Sequence, residues 1–210
     1  MLNKISSSIP FPTLKLTETP VTEYDKTIIV SNLYKDVVYT VEVGVKDGII
    51  YITKTEILPF QEFKNYLKLT NKTIYIGYCY FIQEYISDIF TKEERKKFKL
   101  VSFKNDSNKF TRDGINIIYA INKQTTLDLM STMIKEDKLF ICKHLPSEHI
   151  SMIENTFNKL KYSKTQYGHK RWLTKYYEYG IESSLDFDCK SEPFQFCIIY
   201  AIGLLTGKTF

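Results

Sequence analysis

Between Lys159 and Tyr177 six cations, Lys159, Lys161, Lys164, Lys170, Arg171 and Lys175, alternate with Tyr162, Tyr167, Trp172 and Tyr176. Cations so placed can neutralise phosphates, and the rings can pack on sugars or bases. The segment is the candidate nucleic-acid-binding stretch; the competing reading is a solvated hairpin whose aromatics face the core. Asp186, Asp188 and Glu192 cluster before the last apolar segment, either as a metal environment or as acids favoured near a helix N-terminus. Cys142, His144 and His149 lack the second cysteine pair that a four-ligand zinc site would need, so they read as a buried thiol beside surface histidines. The run Lys92 to Lys97 mixes Lys92, Arg95, Lys96 and Lys97 with Glu93 and Glu94 and reads as a solvated helix end.

The totals bound the rest. A chain of 210 residues forms one well-buried domain or two small ones. The net charge of +5 and pI near 8.8 permit contact with nucleic acid without demanding it. Aromatics make up 15% of the chain, with 16 Tyr and 14 Phe. With the many Lys, Ile and Asn, this fits AT-rich coding DNA, which weakens any single basic or aromatic cluster as a signal. No apolar run approaches the length of a membrane span, and the start lacks a signal-peptide pattern. The four cysteines show no small-domain disulfide spacing and read as reduced thiols.

These residues must be positioned by a recognisable order of elements. Residues 1–22, with three prolines before Val21 and no clear periodicity, read as an arm or linker outside the core; residues 23–210 read as the domain. Strands are expected at Lys26–Ser31, Val37–Val45 and Ile49–Ile57, the last two joined by a Lys46-Asp47-Gly48 turn. Helix then alternates with strand: helix Gln61–Leu69, strand Lys72–Tyr78, helix Phe81–Phe90, strand Lys99–Phe103, helix Arg112–Glu136 with a break near Asn122, and strand Leu139–Cys142. Ser147 is placed as the N-cap of a helix whose apolar face is Ile150, Ile153, Phe157 and Leu160. A hairpin over Tyr162–Tyr179 follows. The last helix runs from an N-cap at Ser191 through Pro193 to Leu205 and is apolar all round, so it must be covered on several sides. The order predicts an α/β fold: a mixed sheet of three antiparallel strands and then parallel ones, flanked by helices. Periodicity gives the class alone; the RNase H-like fold is what the resemblance carried by the following residues implies.

The stretch Asp113-Gly114-Ile115-Asn116, the strand Lys138 to Cys142, and Ile150, Ile153 and Glu154 resemble the C-terminal nuclease domain of large terminases, the packaging motors of tailed phages. So does the closing segment Glu192 to Ala201 (EPFQFCIIYA), which is similar to that family's acid-bearing last helix. Such nucleases hold two divalent ions with converging carboxylates. Carried across, the acid that ends the first strand falls at Ser31 or Asn32, the acid ending the Lys72–Ile76 strand at Gly77, and the second acid of the closing helix at Phe196. The first acid of that helix falls at Glu192, and Glu56 matches an acid some members carry near the third strand. A hydroxyl, a hydrogen and a benzyl group do not replace hard anionic ligands. The resemblance thus implies a degenerate catalytic site, with Glu56, Asp186, Asp188 and Glu192 as remnants.

What it implies for function is a vestigial nuclease domain of a viral packaging motor, without cleavage activity or cofactor. Its expected partners are double-stranded DNA, a packaging ATPase domain and the portal, not a membrane, in the host cytoplasm and transiently at the procapsid portal. Two rivals remain: an active endonuclease requiring Mg²⁺ or Mn²⁺ through Glu56, Asp186 or Asp188, and a protein-interaction module on the same scaffold. No phosphate-binding loop GxxxxGK[ST] occurs, since Gly207-Lys208-Thr209 has Ile202 at the first glycine position. The chain is accordingly expected to be a fragment of a longer packaging ATPase, or else a stand-alone relic.

Overall fold

A tight turn forms the central hairpin of the sheet. Asp47 and Gly48 both adopt positive φ, 51° and 75°, which suits the right-handed twist of the flanking strands. The turn joins β4 (Val37–Lys46) to β5 (Ile49–Pro59), and β3 (Lys26–Tyr34) pairs antiparallel on the other side of β4. The computed structural model describes residues 9–18, 23–34, 36–77, 86–103, 110–113, 116–164, 170–178, 181–185 and 193–207. Among these, β6 (Ile74–Gly77), β7 (Phe98–Phe103) and β9 (Asn116–Ile121) extend the sheet parallel to β3, and β8 (Phe110–Asp113) closes that edge antiparallel. On the other edge β10 (Leu139–Cys142) lies parallel to β5, with β2 (Lys15–Thr17) beyond it. The order is β2-β10-β5-β4-β3-β6-β7-β9-β8, a mixed sheet of three antiparallel strands followed by parallel ones.

Both faces of this sheet are covered, which is why its central strands are apolar on both sides. One face carries Ile29, Leu33, Val38, Ile74, Ile76 and Leu100 against Phe63 and Leu67 of helix α1 (Phe60–Leu69), with Ile86 and Phe90 beside them. A short helix α2 (Lys92–Arg95), held by a Thr91–Glu94 capping box, leads into β7. The other face packs Val30, Val41, Val43 and Val101 against helices α3 (Lys123–Lys135), α4 (Ser147–Phe157) and α5 (Pro193–Thr206). Every residue of α5 from Pro193 to Leu204 is buried. A Cβ on Gly203 would fall 2.4 Å from Ile121 Cγ2, so only glycine lets α5 approach β9 this closely. Gln195, buried in α5, donates to the Met152 carbonyl of α4 at 3.0 Å.

The expected long helix from Arg112 is corrected. Residues 116–121 form β9 and the helix begins only at Lys123, with the Asn122 side chain accepting from Thr125 N at 3.0 Å. The run Ile117-Ile118-Tyr119 is β-branched and aromatic, and an available edge on β7 outweighs its weak helical period. Two ends shift as well: Ser147 is the first residue of α4 rather than its cap, and Leu160 begins β11.

A second, antiparallel sheet combines β1 (Ile9–Pro10), β11 (Leu160–Lys164), β12 (Lys170–Glu178) and β13 (Ile181–Leu185) in that order. The stretch expected to lie outside the core therefore supplies strands to both sheets, and it buries Phe11 and Leu14. Trp172 seats the small sheet. It is 6% exposed, and its ring meets Phe11 at 4.8 Å and Tyr162 at 5.2 Å. Its Nε1 donates to Asp128 at 2.8 Å, while its backbone N donates to Gln124 Oε1 (2.8 Å) and its carbonyl accepts from Gln124 Nε2 (3.1 Å). Trp172→Ala is expected to cost about 3–5 kcal/mol, seen as a lower urea midpoint; a change below about 1 kcal/mol would show that the ring does not anchor the sheet.

Candidate functional site

The carboxyl ends of the parallel strands β3, β6 and β7 meet the first turns of α5, and strand alternation decides which side chains face the helix. Along β3, Ile29 and Leu33 belong to the α1 face and Ile28 and Val30 to the α5 face. Ser31 therefore points toward α1, where its Oγ lies 3.0 Å from Thr40 Oγ1. Asn32 points toward α5 and sits beside Gly77: a Cβ on Gly77 would lie 3.1 Å from Asn32 Oδ1 and 3.1 Å from Tyr200 Cε2. Of the two positions expected to end the first strand, it is Asn32 that faces the closing helix.

Aromatic rings occupy the rest of this corner. Phe103, at the end of β7, stacks on Tyr200 at 4.2 Å and meets Phe196 edge-on at 5.3 Å. Phe196 lies 6.1 Å from Tyr200, and Lys123 Nζ stands 5.7 Å over the Phe103 ring. Cys197, fully buried next in the helix, donates its thiol to the Tyr39 carbonyl at 3.4 Å. Burial pushes that thiol well above its ordinary value. Asn32 is only 2% exposed, and its Nδ2 has no hydrogen-bond partner among the described residues.

The structure thus brings Asn32, Gly77 and Phe196 to one corner and leaves Ser31 on the opposite face. Glu56 is also elsewhere: it pairs in register with Thr40, shares the α1 face, and makes an ion pair with Lys54 at 2.9 Å. Asp186, Asp188 and Glu192 lie outside the described residues. Among the described residues, no three of His, Cys, Asp and Glu come together in an arrangement that could hold a metal ion. Cys142, His144 and His149 separate: Cys142 is buried, His144 Nε2 meets the Thr53 carbonyl at 2.9 Å, and His149 Nδ1 meets Thr55 Oγ1 at 2.9 Å. Phe103, Tyr200 and the orientation of Asn32 escaped the sequence reading. An apolar run such as Thr27–Leu33 does not announce which parity faces which layer.

The basic hairpin forms as expected from β11 and β12, with Lys164 opposite Lys170 and Ser163 opposite Arg171. Lys159 and Lys161 are exposed, and Lys175 pairs in register with Ser184 of β13. Trp172 departs from expectation: it packs inward, with its indole N–H already bonded, and is not available to stack on a base.

Neither a known protein family nor a curated protein matches the chain. Solved structures do. The large terminase of a thermophilic bacteriophage, in complex with ADP, superposes with a TM-score of 0.52 at 10% identity over 92% of this chain and 43% of that one. The chain has a terminase-like fold. The same terminase with ATP-γ-S gives 0.44 at 11% identity over equal shares; the fold assignment rests on the ADP complex. This terminase-like chain spans less than half the length of the protein it matches. Among its described residues no helix is long and apolar enough to cross a membrane.

Two outcomes follow from the crowding and burial here. Gly77→Asp must displace Asn32 or Tyr200, so it is expected to lower stability by about 1–3 kcal/mol in urea unfolding; an unchanged midpoint would mean that the corner has room for a carboxylate. Alkali should also destabilise the fold. Burial raises the Cys197 thiol and pushes the Tyr24 phenol up to about 12, so the folded state favours both protonated forms. Their contribution is complete below the ordinary thiol value of about 8.5 and is lost as pH rises above it, because the unfolded chain ionises first. The urea midpoint should fall between pH 8 and pH 10 (about the range of free thiol and phenol ionisation); a flat profile would contradict the assignment.

Proposed function

We propose that this chain is a nuclease-type domain of a viral genome-packaging motor that has lost its metal ligands and serves to guide or grip duplex DNA. One observation supports the reading: of the positions that the terminase resemblance assigns to carboxylates, Gly77 and Phe196 meet Asn32 at one corner of the fold, while Ser31, the other candidate for the first strand, faces α1. A two-metal mechanism needs converging carboxylates to hold two cations close together, to activate water and to steady the leaving oxygen. An amide oxygen is a weak neutral ligand for such ions, and a benzyl ring is none. The aromatic stack of Phe103, Phe196 and Tyr200 fills space with apolar surface, which disfavours hydrated cations.

The surface that would take DNA is the hairpin of β11 and β12, whose strands carry Lys161, Lys164, Lys170, Arg171 and Lys175, with Lys159 just before it. Contacts from such cations fall on backbone phosphates and read no sequence, which suits a motor that must pass every sequence. A packaging ATPase domain and the portal are the protein partners of this reading, supported by the resemblance to terminases.

Incubation of the chain with supercoiled plasmid and Mn²⁺ is expected to leave the plasmid intact. Nicking that disappears in Asp188→Ala would replace this reading with that of an active endonuclease. Duplex affinity should fall with salt at a slope of about −0.9 per phosphate contact and weaken in Lys159→Gln/Lys161→Gln; salt-insensitive or absent binding, with capture of a portal protein, would favour an interaction module.

A further inference from the structure

A second basic surface lies at the opposite end of the parallel strands from Asn32 and Gly77. The segments entering β6 and β7 run side by side, because Ile74 pairs with Phe98. Between them is a groove of about 380 Å³ whose lining includes Lys72, Thr73, Lys96, Lys97, Phe98 and Lys99. The run from Lys92 to Lys97 reads in sequence as an unremarkable charged helix end; the fold adds Lys72 and Lys99 to it from two other places in the chain.

The lysines stand on a fixed base. The Thr91–Glu94 capping box sets the turn that delivers Lys96 and Lys97, and Glu94 is itself buried and paired with Lys64 at 3.4 Å. Lys99 is steered by two rings, its Nζ lying 5.7 Å from the Tyr75 centroid and 5.6 Å from that of Tyr119. The acids nearby offset only part of the charge: Glu42 takes Lys72 through both oxygens at 2.8 Å, and the exposed Glu93 takes Lys96 at 2.8 Å. Four lysines against two carboxylates leave the groove cationic.

We infer that this groove binds the phosphodiester backbone of nucleic acid. Lysine ammonium groups are compact point charges that suit phosphate oxygens. The two nearby aromatic rings are already engaged with Lys99 and offer no slot for a base, so the contact reads the backbone and not the sequence. The groove is built from different elements than the β11–β12 hairpin, so it would give the chain a second hold on the same polyanion. The inference does not depend on the nuclease reading: cleavage of plasmid would remove that reading and leave the groove in place.

The test uses the full chain and a fluorescent 20-base-pair duplex in a salt series (about two helical turns, enough for several phosphate contacts). Lys96→Gln/Lys97→Gln changes two exposed side chains and is checked for an unchanged circular dichroism spectrum. It should weaken duplex binding several-fold at 0.1 M salt and reduce the salt slope by about 1–2, whereas Lys92→Gln, outside the groove, should leave both unchanged. Wild-type affinity and slope in the double variant would overturn the proposal. So would duplex binding that responds only to Lys159→Gln/Lys161→Gln. Binding of polyglutamate that the double variant loses, with duplex affinity untouched, would overturn it in favour of an acidic protein partner.

Discussion

The burial of α5 is the constraint on which the rest of this structure depends. Twelve consecutive residues, Pro193 to Leu204, are withdrawn from water, so the helix cannot lie on a surface and must be roofed from several directions. β3 and β4 floor it, α3 and α4 wall it, and Gly203 lets it settle against β9. Burying each large apolar side chain contributes roughly 1.5–3 kcal/mol before entropy is counted, so this one helix brings a large share of the apolar surface that holds the α5 face together. Its polar members are satisfied inside the protein: Gln195 donates to α4 and the Cys197 thiol to β4.

That packing also shapes the corner where the strands end. Where α5 meets β3, β6 and β7, a site that held cations would need carboxylates and room for their water. Among the described residues this corner holds a buried amide, a glycine whose added Cβ would lie 3.1 Å from both Asn32 and Tyr200, and three aromatic rings in mutual contact. A close-packed apolar corner gains dispersion and loses solvation for ions, so tight packing and ion binding compete for the same volume. On the proposed reading, relaxing the demand for metal left packing free to take that volume. The fold would then be kept for its surfaces, with the chemistry gone and the cationic exterior still useful to a protein that handles a polyanion.

Much of the architecture was legible because it rests on local chemistry. The Asp47-Gly48 turn, the alternation on either side of it, and the apolar run of α5 each specify their element without help from distant residues. What escaped was set at long range. Residues 116–121 carry a period that serves helix or strand, and the open edge of β7 decides. Residues 9–17 lack any pattern because they fill gaps left by others: Phe11 closes against Phe157 and Trp172, and β2 borrows the edge of β10. Trp172 looked like a stacking platform among cations, whereas a ring with one N–H donor is equally suited to a buried seat beside Asp128. At the candidate site the choice between Ser31 and Asn32 could not be made from sequence, since β3 is buried on both faces and its alternation carries no polar signal.

The central claim is that the corner formed by Asn32, Gly77 and Phe196 no longer grips divalent cations. Anomalous diffraction from crystals soaked in manganese tests it directly. The account predicts no bound ion at the carboxyl ends of β3 and β6; a pair of manganese ions bridged there by carboxylates, whether from Asp186, Asp188, Glu192 or any other residue, would contradict it.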